Sequence, residues 1–119
     1  MLLNDIKTKL EEIDPRVYYG MVDKSVRETE WNYIVFNRLP LKVTGNGTGF
    51  ADYFDVHIIR ENYIPEGLYE QVIAKMREIN GVRVTDTDHG YEYVQKPNTN
   101  IVVEMLTLHF VRARKNVQN

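Results

Sequence analysis

Apolar residues recur at helical spacing in two segments of the chain. The first stripe consists of Leu2, Leu3, Ile6, Leu10 and Ile13. Asp14 and Pro15 end it, because the residue before a proline disfavours the α conformation. The second stripe consists of Leu68, Val72, Met76 and Ile79, and Asn80-Gly81 follows as a typical helix stop. The pattern predicts two amphipathic helices, over residues 2–13 and 65–79.

The remaining apolar residues favour strands. Alternating or β-branched runs predict strands over residues 17–21, 31–41, 50–61, 82–85, 91–95 and 101–112. The polar segment 23–30 is interpreted as a solvated loop. The glycine-rich segment 42–49 should be a hairpin loop, because its alternate glycines allow positive backbone angles. Residues 86–90 and 96–100 are predicted turns, which makes an antiparallel meander of the last three strands.

The last predicted strand is apolar on both faces. Val102, Leu106, Leu108 and Phe110 lie on one parity, and Ile101, Val103, Met105 and Val111 on the other. Two apolar faces on one strand require cover on both sides. Because two helices suffice for one face only, we expect a neighbouring subunit to cover the second.

These elements predict an α+β fold, a mostly antiparallel sheet with two helices packed on one face. The length of 119 residues, with 43% hydrophobic and 27% charged residues, fits a single domain over residues 1–119. Residues 112–119 are interpreted as a flexible, basic tail. No apolar run indicates a signal peptide or a membrane span, so we expect a soluble protein that is intracellular at synthesis.

Charge and cysteine content narrow the possible chemistry. The formal net charge of -2 argues against the global cationic field of a dedicated nucleic-acid-binding protein. The absence of cysteine excludes disulfides, thiolate nucleophiles and cysteine-ligated zinc. The cluster of Arg112, Arg114 and Lys115 still offers weak phosphate contacts, and a small nucleic-acid-binding α+β module remains an alternative.

Three motifs suggest chemistry, and each has a plainer explanation. His57 and His109, on neighbouring predicted strands, could act with Asp55 or Glu104 as a small enzyme site, but strand histidines on a polar face are more often surface groups. Residues 86–90 resemble a calcium loop but lack its glycine and glutamate spacing. The glycines of 42–49 lead into a strand rather than the helix that a phosphate loop needs. We expect no catalytic, metal or cofactor residues.

The chain runs from the helix over residues 2–13 through VYYG at 17–20, WNYIVFNRL at 31–39, a glycine loop, DYFDVHII at 52–59 and a central helix to VVEMLTLHFV at 102–111. In this order of elements it resembles the tail terminator and tail completion proteins of long-tailed bacteriophages, including lambda-type terminators and related neck proteins. The resemblance implies a virion protein of the tail or neck, made in the cytoplasm of the host bacterium. It also implies a homo-oligomeric ring, commonly a hexamer, that caps the tail tube, ends its polymerisation and joins it to the head-tail connector.

The ring hypothesis identifies partners and contact residues. The partners are identical copies, the tail-tube protein and the connector, with no membrane, and with nucleic acid only passing through the lumen. A head-side neck adaptor or stopper is the alternative within the same class. The expected contact residues are Lys42, Thr44, Asn46, Thr48, Tyr53, His57, Met105, His109, Arg112 and Arg114. Eight tyrosines support an interface role, because tyrosine is enriched where proteins meet.

Overall fold

The computed structural model describes residues 1–44 and 49–115, which contain a mixed seven-stranded sheet and three helices. The elements are α1 (Leu2–Glu11), β1 (Val17–Tyr19), α2 (Lys24–Arg27), β2 (Tyr33–Arg38), β3 (Lys42–Thr44), β4 (Gly49–Glu61), α3 (Leu68–Arg77), β5 (Val82–Val84), β6 (Tyr91–Gln95) and β7 (Val102–Lys115). The predicted α+β class is confirmed. The described strand pairs are antiparallel apart from β1 and β2.

The two longest strands form the centre of the sheet. β4 and β7 pair along their lengths, from Gly49 opposite Lys115 to Glu61 opposite Val103. Two short strands lie end to end along the outer edge of each: β2 and β3 along β4, and β6 and β5 along β7. The molecule is elongated, 57 × 25 × 25 Å, because a strand of this length alone extends ~46 Å.

One face of the sheet, here called the core face, carries Phe54, Val56 and Ile58 of β4. These side chains share a buried cluster with Ile6 and Leu10 of α1 and with Leu68, Val72 and Met76 of α3. Phe54 also stacks on Phe110 of β7, with ring centroids 5.3 Å apart. The helical spacing in the sequence therefore identified the buried positions of both long helices correctly.

The opposite face, here called the second face, carries Asp55, His57 and Ile59 of β4. A smaller cluster buries Tyr33, Val35, Ile59 and Val103, and Val22, Val26, Trp31 and Met105 pack against it. Val26 belongs to α2, so the interpretation of residues 23–30 as a solvated loop is wrong. Val26, the one apolar residue of this segment, packs with the flanking Val22 and Trp31 and holds the chain against the sheet.

This arrangement changes the interpretation of β7. Val103 and Val111 on the second face are 0% and 3% exposed within one copy, whereas Val102 on the core face is 47% exposed. The expectation that a neighbouring subunit must cover the second face is therefore wrong at Val103 and Val111. Exposed apolar side chains also lie along the edges of the sheet, in β3 and β6.

Three further expectations are corrected. β5 and β6 do not form a meander, because both pair with β7, and residues 85–90 leave its edge between them. Residues 42–44 are a strand rather than part of a hairpin loop, and a break at residues 39–41, which include Pro40, separates them from β2. Residues 112–115 belong to β7 rather than to a tail. The tip of the predicted loop, residues 45–48, lies outside the described residues, as do residues 116–119.

A buried ion pair links the turn after α1 to the sheet. The Arg60 guanidinium contacts the Asp14 carboxylate at 2.6 Å, and both side chains are largely buried. The same guanidinium donates hydrogen bonds to the carbonyl oxygens of Tyr33 and Ile59. The other Asp14 oxygen accepts the Arg16 backbone N–H at 2.9 Å. The charges are thus paired and further hydrogen-bonded, as buried charges require.

Candidate functional site: a histidine network and two open sheet edges

The strand register brings polar side chains into adjacent rows on the second face. Asp55 of β4 lies between Asn37 of β2 and His109 of β7, and His57 lies opposite Thr107. Residues 85–90 add His89, whose ring stacks on His109 with centroids 5.3 Å apart. All three histidines of the chain therefore belong to one network.

The hydrogen bonds and the burial of His57 favour the neutral imidazole. Its Nε2 is 2.5 Å from Asn37 Oδ1, and its Nδ1 is 2.9 Å from Thr107 Oγ1. The amide oxygen only accepts, so Nε2–H donates to it, and the threonine hydroxyl donates to Nδ1. Burial lowers the pKa of His57, and the nearby His109 lowers it further, against an opposing effect of Asp55.

His109 and His89 connect β4, β7 and the segment 85–90. Nδ1–H of His109 donates to Asp55 Oδ1 at 2.6 Å, and this carboxylate is buried. The backbone N–H of His109 donates to Nδ1 of His89 at 3.0 Å, which fixes the His89 proton on Nε2, 3.2 Å from the Thr85 carbonyl oxygen. The network therefore anchors residues 85–90 to the edge of β7.

The hydrogen bonds of this network join β2, β4, β7 and the segment 85–90. Both ring nitrogens of His57 and of His89 are engaged in hydrogen bonds with protein groups. His109 lines a surface cavity of about 530 Å³ together with Tyr53, Arg83, Asp86 and Asp88. In residues 1–44 and 49–115, no group of three or more His, Asp or Glu side chains is arranged to hold a metal ion.

Acidification should destabilise the protein through His57. Because its pKa is lower in the folded state than the ordinary 6.5, the unfolded chain binds the proton more readily. Its contribution to stability is present above pH 6.5 and is lost as the pH falls through the folded-state pKa, by ~1.4 kcal/mol per unit of pKa difference. Thermal unfolding between pH 7.5 and 5 should show a smaller loss of Tm for His57→Gln than for the wild type. Equal losses in both would contradict this assignment.

The structure distributes the predicted contact residues over three regions. Tyr53, His57, Met105 and His109 lie on the second face, and of these His57 and His109 belong to the network. Arg112 lies opposite Asp52 and forms an ion pair with it at 3.2 Å, while Arg114 lies opposite Phe50. Lys42 is exposed on β3, which ends at Thr44. Asn46 and Thr48 lie outside the described residues.

Sequence reasoning found part of the network and missed Asn37, Thr107 and His89. Asp55 does contact His109, but Glu104 does not join them: its carboxylate accepts the Tyr93 hydroxyl at 2.8 Å and the Ile64 backbone N–H at 2.7 Å. His89 was missed because its position depends on how residues 85–90 leave and rejoin the sheet. Asn37 gave a usable signal, because it interrupts the apolar run of β2 with a polar side chain.

The edge strand β6 is a second candidate site. All five of its residues are exposed, including Tyr91, Tyr93 and Val94. The neighbouring Val102 is also exposed, so apolar surface continues into the sheet. The hydrogen bond to Glu104 raises the pKa of the Tyr93 hydroxyl and holds its ring in place. Glu92 is the one charged residue within β6, so this aromatic edge has little of the charge that usually protects an edge strand from pairing with another chain.

The edge strand β3 lies along the opposite side of the sheet. Val43 is 57% exposed, and the preceding Leu41 is exposed as well. Lys42 stands between them, and no hydrogen bond or ion pair joins its side chain to the other described residues. Exposed apolar side chains therefore lie at both edges of the sheet.

Comparisons with known proteins give no family: neither a protein-family model nor a curated protein sequence matches this chain. Among the described residues, no helix has the length and apolar character needed to cross a membrane.

Proposed function

We propose that this chain is a structural virion protein, a tail terminator that forms a ring on the end of a bacteriophage tail tube. The observation that carries the proposal is the exposed apolar character of both sheet edges, β3 and β6. Monomeric proteins usually protect such edges, and exposed ones pair with other chains. The resemblance in element order supplies the particular assembly.

The layers of the fold support this role. In the proposed arrangement α1 and α3 pack on the core face, while the second face is closed by the segment around α2 and by the histidine network. The two faces then form a stable unit, and the edges are left to make contacts between copies. The network residues His57 and His109 act as structural groups beneath this surface.

The proposed mechanism is geometric. A ring, most simply a hexamer, docks one side on the last ring of tail-tube subunits and offers them no surface for further addition, so polymerisation ends. Its other side accepts the head-tail connector. Lys42 of β3 is proposed to contact the next copy in the ring. Thr44 and Arg114 at the same end of the sheet, with Asn46 and Thr48 in the adjoining segment, are proposed to contact the tube or the connector.

Tube length tests this function. Adding the protein to its cognate tail-tube protein during polymerisation should shorten the tubes and leave a density at one end of each, as measured by electron microscopy. Lys42→Ala should weaken this effect without changing the Tm, because its side chain is exposed in the single copy. Lys7→Ala, an exposed lysine on α1, is the matched control and should cap like the wild type.

Two results would count against the proposal. Tubes of unchanged length and without an end density would contradict the terminator role. Binding to the portal side of the neck in place of the tube would indicate the head-side adaptor, which is also a ring. Pull-down with tube protein and with portal protein distinguishes these two assemblies.

A further inference from the structure

We infer that copies of this chain join edge to edge, with β6 of one copy pairing with β3 of the next. This inference rests on the proposed ring and identifies the contact that would build it. A contact between two different edges is heterologous, so each added copy again presents one free β3 and one free β6. Such contacts close into rings when the rotation between copies allows it.

The backbone of β6 points hydrogen-bonding groups away from the sheet. Thr107 donates to the Gly90 carbonyl oxygen and Lys96 donates to the Ile101 carbonyl oxygen, which fixes the alternation of the β6–β7 ladder. Glu92 and Val94 then point their backbone groups toward β7, and those of Tyr91 and Tyr93 point away from the sheet. No strand of the described residues pairs with this outer side of β6.

The backbone of β3 also points hydrogen-bonding groups away from the sheet. Leu39 donates to the Tyr53 carbonyl oxygen, so the odd-numbered residues of β4 point their backbone groups toward the β2 and β3 side. Lys42, which pairs with Ala51, therefore points inward, and the N–H and C=O of Val43 point outward. A hydrogen-bonded pair between copies requires Val43 to lie opposite Tyr91, Tyr93 or Gln95.

Side-chain directions and charge select one of these registers. Val43 lies opposite Phe50, and Tyr91 opposite Leu106, so both side chains lie on the core face. Lys42 and Glu92 both lie on the second face. In an antiparallel pair, Val43 opposite Tyr91 places Lys42 directly opposite Glu92. Val43 opposite Tyr93 places it opposite Val94, and Val43 opposite Gln95 places it opposite Lys96. Only the first register pairs the opposite charges, which favours it.

β1 is the other edge strand on this side of the sheet and is a weaker partner. Its residues Val17, Tyr18 and Tyr19 include no charge that could pair with Glu92. Val17 is buried, and the Tyr19 carbonyl oxygen already accepts the Met21 N–H. β3 thus offers both the exposed side chain and the complementary charge.

Engineered cysteines test this register directly, because the chain has none of its own. Residues directly opposite in a non-hydrogen-bonded pair have Cα atoms ~4.5 Å apart, within the range of a disulfide. Within one copy, β4 and β7 lie between Lys42 and Glu92, and three strand spacings across the sheet alone amount to ~14 Å, so no internal bond can form. Oxidised Lys42→Cys/Glu92→Cys protein should give a ladder of linked copies on a non-reducing gel.

The controls separate the register from general association. Lys42→Cys/Val94→Cys, shifted by two residues on the same face, should give little or no ladder, and each single cysteine variant at most a dimer. Lys42→Glu and Glu92→Lys should each lose the oligomer seen by light scattering, and the double charge reversal should restore it. Circular dichroism of each variant confirms that the fold is intact.

Failure of this inference is distinguishable from failure of the proposed function. Oligomers that form in the wild type without a Lys42→Cys/Glu92→Cys ladder would overturn the edge pairing and leave the ring in place. Equal ladders from the Val94→Cys control would overturn the register. A wild type that remains monomeric at every concentration, with no ladder from any variant, would contradict both the edge pairing and a self-assembling ring.

Discussion

Phe110→Ala should lower the free energy of unfolding by ~3–5 kcal/mol, the range for removing a large aromatic side chain from a packed core. Phe110 is fully buried and stacks on Phe54 with an angle of 16° between the rings. It lies at the centre of β7, between the long strand β4 and the short strand β5, so neighbouring side chains have little freedom to fill the space.

Urea unfolding followed by circular dichroism measures this loss. Val43→Ala is the matched control, because Val43 is exposed in the single copy and its truncation should change the free energy of unfolding by no more than ~0.5 kcal/mol. A loss below ~1 kcal/mol for Phe110→Ala would contradict the packing described for the core face. The pair of variants also separates stability from assembly, since Val43 lies in the proposed contact between copies.

Asp14→Ala should also be strongly destabilising, by ~3–5 kcal/mol, because it leaves the partly buried Arg60 guanidinium without its carboxylate. The substitution also removes the acceptor for the Arg16 backbone N–H, which shapes the entry into β1. Removing one partner of this ion pair therefore costs more free energy than the intact pair contributes to stability.

An exposed ion pair provides the comparison for Asp14. Glu12 contacts Lys75 at 2.8 Å on the surface between α1 and α3, and Glu12→Ala should cost at most ~1 kcal/mol. Urea unfolding of both variants at pH 7 tests the difference. Equal effects would mean that water reaches the Asp14 carboxylate freely, against the burial of this side chain.

Local patterns in the sequence were sufficient for the two long helices and for most strands. The stripe from Leu68 to Ile79 predicted the buried face of α3 because helical periodicity is a property of neighbouring residues. The alternation in β4 likewise assigned Phe54, Val56 and Ile58 to one face. These predictions need no knowledge of which strand pairs with which.

Pairing between distant segments could not be derived in this way. Short strands that share one edge of a longer strand look, in sequence, like strands of a meander, and only the register of β5 and β6 against β7 distinguishes the two. The position of His89 beside His109 depends on that register. The one-turn helix α2 was missed for another reason: its segment is mostly polar, and Val26 packs only because a sheet face lies beneath it.

The pairing of β4 with β7 has a consequence for the order in which the chain folds. The separation in sequence between paired residues grows steadily from Glu61 and Val103 to Gly49 and Lys115, so the entropic cost of loop closure is lowest at the first pair. The pairing of β4 with β7 should therefore begin at Glu61 and Val103 and reach Gly49 last. β3 pairs only with residues 49–51, so it becomes ordered after the hydrophobic interior has formed. A partly folded chain therefore does not yet expose this edge strand for pairing with other copies.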